Sequence, residues 1–226
     1  MLALAVAKPT ESPVVVARRR SPKAVKSTGV AKGQGGSLRV VAGRFKGQKI
    51  GVPPGDSVRP TSDRVRENLF NILAHLPNDN GVGSVLNGAR VLDRFAGSGA
   101  LGIEALSRGA ASCTFVDRSA ATRQLINENL RGLKGLGQGC FAVGSEGLLA
   151  SAGPFNLMFF DPPYGFDQDG WNSLFADLTD LSLAKRGALA IIERDQVDQG
   201  PSELRGWQEL KARQFGRTHI GIWRLN

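Results

Sequence analysis

The alternation of apolar and polar residues along the chain predicts a small unit followed by a larger one. Residues 38–41 and 46–52 alternate in this way, which predicts two short strands joined as a β-hairpin. Ser62 then offers a helix cap. The residues after it that recur at helical spacing are Val65, Leu69, Ile72, Leu73 and Leu76. We therefore expect residues 38–77 to form a hairpin and a helix.

From residue 78 onwards, strand-like and helix-like segments alternate. Apolar runs predict strands at 90–95, 112–116, 141–143, 155–160 and 188–193. Helical spacing predicts helices at 100–108, 120–133 and 171–183. Two further strands, 207–215 and 218–225, read as a closing antiparallel hairpin. Alternation of this kind predicts an α/β fold with a doubly wound, mainly parallel sheet over residues 78–226.

Positive charge is concentrated in the first third of the chain. Residues 1–36 carry seven Lys or Arg and one acid, and residues 37–70 carry seven and three, within a total net charge of +9. Such asymmetry indicates either a polyanion partner or a solubilising tail. Pro-rich and Gly-rich composition predicts a disordered basic tail over residues 1–37. We expect a cytoplasmic bacterial protein, with organellar targeting by residues 1–36 as the open alternative.

Composition excludes several other classes of protein. Two cysteines in 226 residues do not form a disulfide framework. No apolar run approaches the ~20 residues that a membrane span needs, so no membrane partner is expected. Neither Cys113 nor Cys140 has the spacing of a metal site, and we expect no metal. A monomer is expected.

A glycine-rich segment follows the first strand of the larger unit and opens a helix. Gly97, Gly99 and Gly102 fit G-x-G-x-x-G, which lets backbone approach a nucleotide closely. Asp117 ends the next strand, where a carboxylate binds ribose hydroxyls in such folds. Asp93, just ahead of the glycines, would repel the pyrophosphate of NAD but would suit the cationic methionyl end of S-adenosylmethionine. The segment therefore favours the methyl donor over the dinucleotide.

A second segment, Asp-Pro-Pro-Tyr at residues 161–164, follows the apolar strand at 155–160. Ligands of a doubly wound sheet bind beyond the carboxyl ends of its strands, so this segment is expected beside the glycine loop. Consecutive prolines stiffen the turn, which would aim the Asp161 carboxylate and the Pro162 carbonyl at the two protons of one exocyclic amine. Tyr164 offers a flat face on which a base stacks. The segment indicates a nucleobase amine as the target.

Together these segments resemble one known family. Residues 161–164 are similar to the D-P-P-[YF] motif of amino-methyltransferases. Residues 59–73 resemble the R-P-T-x-x-x-V-R-E-x-L-F-N-x-L segment of the RsmD family, the bacterial 16S rRNA guanine-N2 methyltransferases. Residues 39–43, 47–49 and 93–106 are similar to that family as well. The resemblance runs from about residue 38 to the C-terminus.

The resemblance implies a class I methyltransferase fold with an N-terminal hairpin and helix extension, and it implies residue roles. Donor-binding residues would be Asp93, Ala96, Gly97, Gly99 and Asp117, with Ser145 or Glu146 on the adenine of the donor. Catalytic residues would be Asp161, Pro162 and Tyr164. Substrate-binding residues would be Arg59, Thr61, Arg64, Arg66 and Pro163. Arg94 stands where the family usually has an apolar residue, and we expect its side chain to face away from the donor.

The resemblance also implies methyl transfer from S-adenosylmethionine to the N2 of a guanine in 16S rRNA, free or in an assembling small subunit. An adenine-N6 methyltransferase acting on DNA or RNA is the nearest alternative, because it shares the D-P-P-Y chemistry. An NAD-dependent oxidoreductase and a non-enzymatic RNA-binding protein are more distant ones.

Overall fold

A computed structural model describes residues 37–53, 62–77, 81, 83–137, 139–144, 153–196 and 200–226. The predicted basic tail lies outside these residues except for Ser37, which begins the first strand. The described elements run in the following order: β1 (Ser37–Arg39), β2 (Lys49–Gly51), α1 (Asp63–His75), β3 (Arg90–Arg94), α2 (Ala100–Ser107), β4 (Ser112–Val116), α3 (Ala120–Arg131), β5 (Cys140–Val143), β6 (Phe155–Phe160), α4 (Gln168–Asp180), β7 (Ala184–Asp195), β8 (Trp207–Phe215) and β9 (Thr218–Leu225).

Strands β3 to β9 form a single seven-stranded sheet in the order β5-β4-β3-β6-β7-β9-β8. The first five of these strands are parallel, whereas β9 is antiparallel to both β7 and β8. This arrangement confirms the predicted doubly wound sheet and its closing hairpin. It also brings the carboxyl ends of β3, β4, β6 and β7 to one edge of the sheet, where ligands of such folds bind.

Helices cover both faces of the sheet. On one face, apolar residues of α1, α2 and α3 pack on alternate strand residues such as Val91, Leu157 and Phe159. On the other face, α4 packs on the intervening residues, such as Leu92 and Met158. Burial of both faces explains why the central strands are nearly continuous apolar runs in the sequence.

The predicted N-terminal hairpin and helix are present, but the hairpin strands are shorter than predicted. The strands stop early because the backbone N–H groups of Val41 and Ala42 donate to the carboxylate of Glu104 on α2, at 2.8 and 3.0 Å. Ser107 accepts the N–H of Phe45 at 3.0 Å through its Oγ. Hydrogen bonds to Glu104 thus take the place of hydrogen bonds between the two strands. They attach the N-terminal arm, the segment with β1 and β2, to the domain that contains the seven-stranded sheet.

Helix α4 and strand β7 also start earlier than predicted. Helix α4 starts before residue 171 because the Asp167 carboxylate accepts the Gly170 N–H at 2.8 Å and caps it. Strand β7 starts earlier than predicted because Ala184 pairs with Phe155 across a shift in register. None of the described helices has the length and apolar character to cross a membrane.

Candidate active site

A cavity of about 950 Å³ opens at the carboxyl edge of the parallel strands. Its lining includes both sequence motifs, the start of α1 and the β8–β9 turn. Ligand pockets of proteins measure about 300–1,000 Å³, so the cavity is large enough for a nucleoside-sized ligand. The structure therefore brings the glycine loop and the Asp-Pro-Pro-Tyr turn into one site, as the sequence predicts.

The glycine loop follows β3 and leads into α2. Gly99 caps α2 in the left-handed region with φ +76°, a conformation that residues with a side chain rarely adopt. Gly102 lies in the first turn of α2, where an added Cβ would lie 2.4 Å from the ring of Phe115 on β4. The glycines thus shape the loop and allow α2 to pack closely against the sheet, which leaves the loop backbone open to the cavity.

The Asp117 carboxylate is held against the glycine loop. Its Oδ2 accepts the Gly97 N–H at 3.1 Å and its Oδ1 accepts the Ser119 N–H at 2.9 Å. These two hydrogen bonds fix the carboxylate at the carboxyl end of β4, beside the glycine loop. A carboxylate oriented in this way is suited to accept hydrogen bonds from vicinal hydroxyls of a ribose.

Asp93 lies at the floor of the cavity and is only 3% exposed. Its Oδ2 accepts the Gly102 N–H at 2.9 Å. Burial raises the pKa of Asp93 to about 7, against the opposing effect of the Gly102 hydrogen bond, and the neighbouring acids Asp117 and Glu193 raise it further. A carboxylate whose ionised form is this unfavourable gains most from a cationic ligand.

The Asp-Pro-Pro-Tyr turn lies directly beyond β6, beside Asp93. Burial raises the pKa of Asp161 well above its usual range, followed by the charges of Glu193 and Asp93. Tyr164, by contrast, is 71% exposed and lines the mouth of the cavity. The turn therefore presents a half-buried acceptor near Asp93 and an exposed aromatic ring at the entrance.

The predicted substrate-side arginines have different environments. Arg64 is exposed on α1, as a residue that contacts substrate would be. Arg66 is 0% exposed: its Nη2 pairs with Asp63 at 2.8 Å, and its Nε lies 3.8 Å from the carboxylate of Glu104. Its Nη2 also donates to the carbonyl of Arg39. Burial between α1, the hairpin and α2 argues against the predicted direct contact of Arg66 with substrate.

The remaining predicted residues are partly outside the structure. Arg59, Thr61, Ser145 and the alternative Glu146 lie outside the described residues. Ala96 and Pro163 line the cavity with their neighbours in the two motifs.

Arg94 lies one residue beyond Asp93 on β3, so its side chain points to the opposite face of the sheet. Burial lowers the pKa of Arg94, and the charge of Asp177 on α4 opposes that shift. The guanidinium also lies over the Phe95 ring, 5.4 Å from its centroid. These neighbours lie on the α4 side of the sheet, whereas other atoms of Arg94 contribute to the cavity lining. That Arg94 faces away from the donor therefore stays a prediction.

A group of residues at the ends of β7 and β8 was not predicted from the sequence. The residues of this group that line the cavity are Glu193, Arg194, Asp195, Phe215 and Arg217. Arg217 is 63% exposed and pairs with Asp195 at 3.2 Å. The available signal was the position of Glu193 directly after the apolar run that predicted its strand, which is the same signal that identified Asp161.

No cluster of three or more His, Cys, Asp or Glu side chains with the arrangement of a metal site occurs in the part of the chain that the structure describes. Cys113 is buried and its pKa is raised well above the usual value, first by burial. Cys140 is half-buried, and burial is also the largest cause of its raised pKa. Both thiols therefore stay protonated at neutral pH.

Residues 38–224 match a family model described as conserved hypothetical protein 95. The chain is 42% identical over 130 residues to the ribosomal RNA small subunit methyltransferase D of Escherichia coli, a match that covers 57% of this chain and 61% of that relative. The chain thus spans about three-fifths of the length of that curated relative. It is 31% identical over 192 residues to the putative rRNA methyltransferase YlbH of Bacillus subtilis, covering 83% and 98% of the two chains.

The solved structure of a putative methyltransferase, yhhF from Escherichia coli, has a similar fold. The TM-score is 0.68 and the sequence identity 32%, over 84% of this chain and 99% of that chain. The predicted fold class, a class I methyltransferase sheet, is confirmed by this likeness together with the observed strand order.

Proposed function

The chain belongs to the conserved hypothetical protein 95 family, and on this premise we propose that it transfers a methyl group from S-adenosylmethionine to the N2 of a guanine in small-subunit ribosomal RNA. The observation that carries the proposal is the meeting of two half-sites in one cavity. One is the glycine loop with Asp93 and Asp117, and the other is the Asp161 turn. A relative named for methylation of small-subunit ribosomal RNA supports the substrate class.

The donor half-site fits the chemistry of S-adenosylmethionine. Asp93 is a buried carboxylate that gains from a positive charge, and the methionyl end of the donor carries an ammonium and a sulfonium. Asp117 would hold the ribose hydroxyls, and the backbone from Ala96 to Gly99 would line the methionyl end. Ser145 is the proposed contact to the adenine. When bound, the donor supplies a methyl group on a good leaving group, so the protein needs mainly to position and stabilise.

The acceptor half-site fits an exocyclic amine. The lone pair of guanine N2 is delocalised into the ring, so the amine is a weak nucleophile. Hydrogen bonds from its two protons to the Asp161 carboxylate and the Pro162 carbonyl would orient the amine and stabilise the positive charge that develops on it. Tyr164 would stack on the base, and such stacking contributes about 1–3 kcal/mol. Pro163 keeps the turn rigid.

The target base must leave its stack to enter the cavity, so an exposed loop nucleotide is the expected substrate. Arg64, with Arg59 and Thr61, would contact the RNA around that nucleotide. Phosphate contacts by such residues add affinity without reading sequence. Arg194 and Arg217 also line the cavity, together with the acids Glu193 and Asp195.

The test is methyl incorporation from labelled S-adenosylmethionine into small ribosomal subunits from cells that lack this gene, with the RNA digested to nucleosides. Wild type should yield N2-methylguanosine. Asp161→Ala should lower the rate by at least about 100-fold while keeping affinity for S-adenosylhomocysteine. The matched control is Asp180→Ala, at an exposed position on α4, which should behave as wild type.

Three results would overturn the proposal. N6-methyladenosine in place of N2-methylguanosine would favour the adenine methyltransferase, which shares the Asp-Pro-Pro-Tyr chemistry. Absence of donor binding would contradict the assignment of the glycine loop. Full function of Asp161→Ala would favour a non-enzymatic RNA-binding protein.

A further inference from the structure

Glu193 lies beside Asp161 at the floor of the cavity. Phe160 on β6 pairs with Ile192 on β7, so Asp161, the first residue beyond β6, lies next to Glu193 on β7. Neighbouring strands lie about 4.8 Å apart, and side chains two residues apart share a face of the sheet. Both side chains therefore emerge on the face that carries Phe159, at the edge where the cavity opens.

Glu193 is only 7% exposed and lines the cavity together with the Asp161 turn. Asp161 and Glu193 place two carboxyl acceptors side by side, and the charge of Glu193 is the second-largest cause, after burial, of the raised pKa of Asp161. A floor built from adjacent acceptors suits a ligand edge built from adjacent donors.

The nucleobases differ at the edge that would meet this floor. Guanine presents N1–H next to its N2 amine, which is an unbroken row of donors. Adenine and cytosine place an acceptor ring nitrogen next to their exocyclic amine. A ring nitrogen that is itself an acceptor forms no hydrogen bond with a carboxylate, and leaving that nitrogen buried without a donor costs more than a satisfied pair gains.

We propose that Glu193 is a specificity-determining residue that accepts the N1–H of the target guanine while Asp161 and the Pro162 carbonyl accept the N2 protons. This inference rests on the proposed function and adds the reason why guanine is chosen. Glu193 reads the ring nitrogen next to the amine, which carries a proton in guanine but not in adenine or cytosine, and Asp161 reads the amine, which all three bases share.

The test uses a base that keeps the N2 amine but has an acceptor at N1 in place of the N1–H donor. Small subunits are reconstituted with RNA that carries guanosine or 2,6-diaminopurine riboside at the methylated nucleotide, which mass spectrometry of ribonuclease fragments locates first. The diaminopurine retains the N2 amine, but its N1 is an acceptor. For wild type, kcat/KM for diaminopurine should be about 10- to 100-fold below that for guanosine.

Glu193→Gln supplies an amide that donates to an acceptor N1. It should lower kcat/KM for guanosine by about 10- to 100-fold and leave the diaminopurine rate equal or higher, so the preference collapses or inverts. Asp161→Asn should instead lower both rates, since both bases carry the amine. Glu203→Gln, exposed and outside the cavity lining, is the matched control and should keep the wild-type preference.

Thermal unfolding and calorimetric affinity for S-adenosylhomocysteine show whether Glu193→Gln retains its fold and donor site. With both retained, an equal loss on guanosine and diaminopurine would overturn the inference and assign Glu193 a merely structural role. An unchanged preference would overturn it as well. If Glu193→Gln does not fold, Glu193→Asp replaces it, and a preference unchanged in that shorter acid would also contradict the inference. Failure of wild type to methylate guanosine at all would contradict the proposed function instead.

Discussion

Two carboxylates near the start of the sheet domain are buried to a similar degree and have opposite surroundings. Glu104 on α2 is 0% exposed and accepts hydrogen bonds from two backbone N–H groups and one arginine Nε, with a second arginine 3.8 Å away. Asp93 at the end of β3 is 3% exposed, accepts one backbone N–H, and has two acids among its electrostatic neighbours.

The difference separates a structural acid from a functional one. The donors around Glu104 offset the cost of burying its charge, so this residue attaches the N-terminal arm to the sheet domain. The surroundings of Asp93 disfavour its ionised form, and a cationic ligand would relieve that cost. Substitution should therefore move stability in opposite directions at the two sites.

Glu104→Ala should produce the largest effect on stability. The substitution leaves the buried guanidinium of Arg66 without its acidic neighbour on α2, and it removes the acceptor of two N–H groups in the hairpin arm. Breaking a buried ion pair from one side costs about 3–5 kcal/mol, or roughly 10 °C in melting temperature for a domain of this size. Urea unfolding measures the loss. Glu67→Ala, exposed on α1, is the control and should cost less than about 1 kcal/mol. An equal loss of unfolding free energy in Glu104→Ala and Glu67→Ala would show that Glu104 contributes no more to stability than an ordinary surface acid.

Asp93→Asn should have the opposite signature. It should weaken S-adenosylmethionine binding by about 100-fold, because the amide has no charge for the cationic donor. It should also raise the melting temperature by a few degrees at pH 8. The folded pKa of about 7 exceeds the ordinary value of 3.8, so the folded protein holds a proton that the unfolded chain releases. Ionisation of Asp93 therefore lowers stability as pH rises from about 4 to 7, and the gain from Asn should vanish near pH 4.

Calorimetry and melting curves at both pH values test Asp93→Asn, with Asp180→Asn as the exposed control. Destabilisation at pH 8 would show that Asp93 is structural, as Glu104 is.

The pH dependence of donor binding should follow from the same carboxyl. Since the donor binds the ionised form of Asp93, affinity should fall about tenfold per pH unit below pH 7 and level off above it. Asp161 has a raised pKa in the same cavity, so Asp161→Asn is measured in parallel to separate the two groups. The slope should persist in Asp161→Asn and disappear in Asp93→Asn. A pH dependence of donor affinity that persists in Asp93→Asn would show that another group takes up the proton.

The two carboxylates also show how far the sequence was informative. Asp93, Asp117 and Asp161 were predictable because each lies at or just beyond the end of an apolar strand, and parallel topology brings such ends together. The burial of Arg66 was not, because its partner Glu104 is distant in the chain and only the packing of α1 on α2 joins them. Helical spacing alone does not distinguish a solvated arginine from one enclosed by another helix.

The smallest predicted effect concerns Arg94, the neighbour of Asp93 on the opposite face of β3. Its Nε and Nη1 are buried and find no hydrogen-bond partner among the residues that the structure describes. Burial lowers the pKa of this guanidinium, which shows that its charged form is penalised. Arg94→Met removes these unsatisfied groups at the cost of the cation–π contact with Phe95, so stability should rise by only about 0.5–1 kcal/mol. Affinity for S-adenosylmethionine should stay within twofold of wild type, because the side chain lies on the α4 side. A clear gain in donor affinity would mean that the guanidinium reaches the donor and repels it. Donor binding would then not be confined to the face of β3 that carries Asp93.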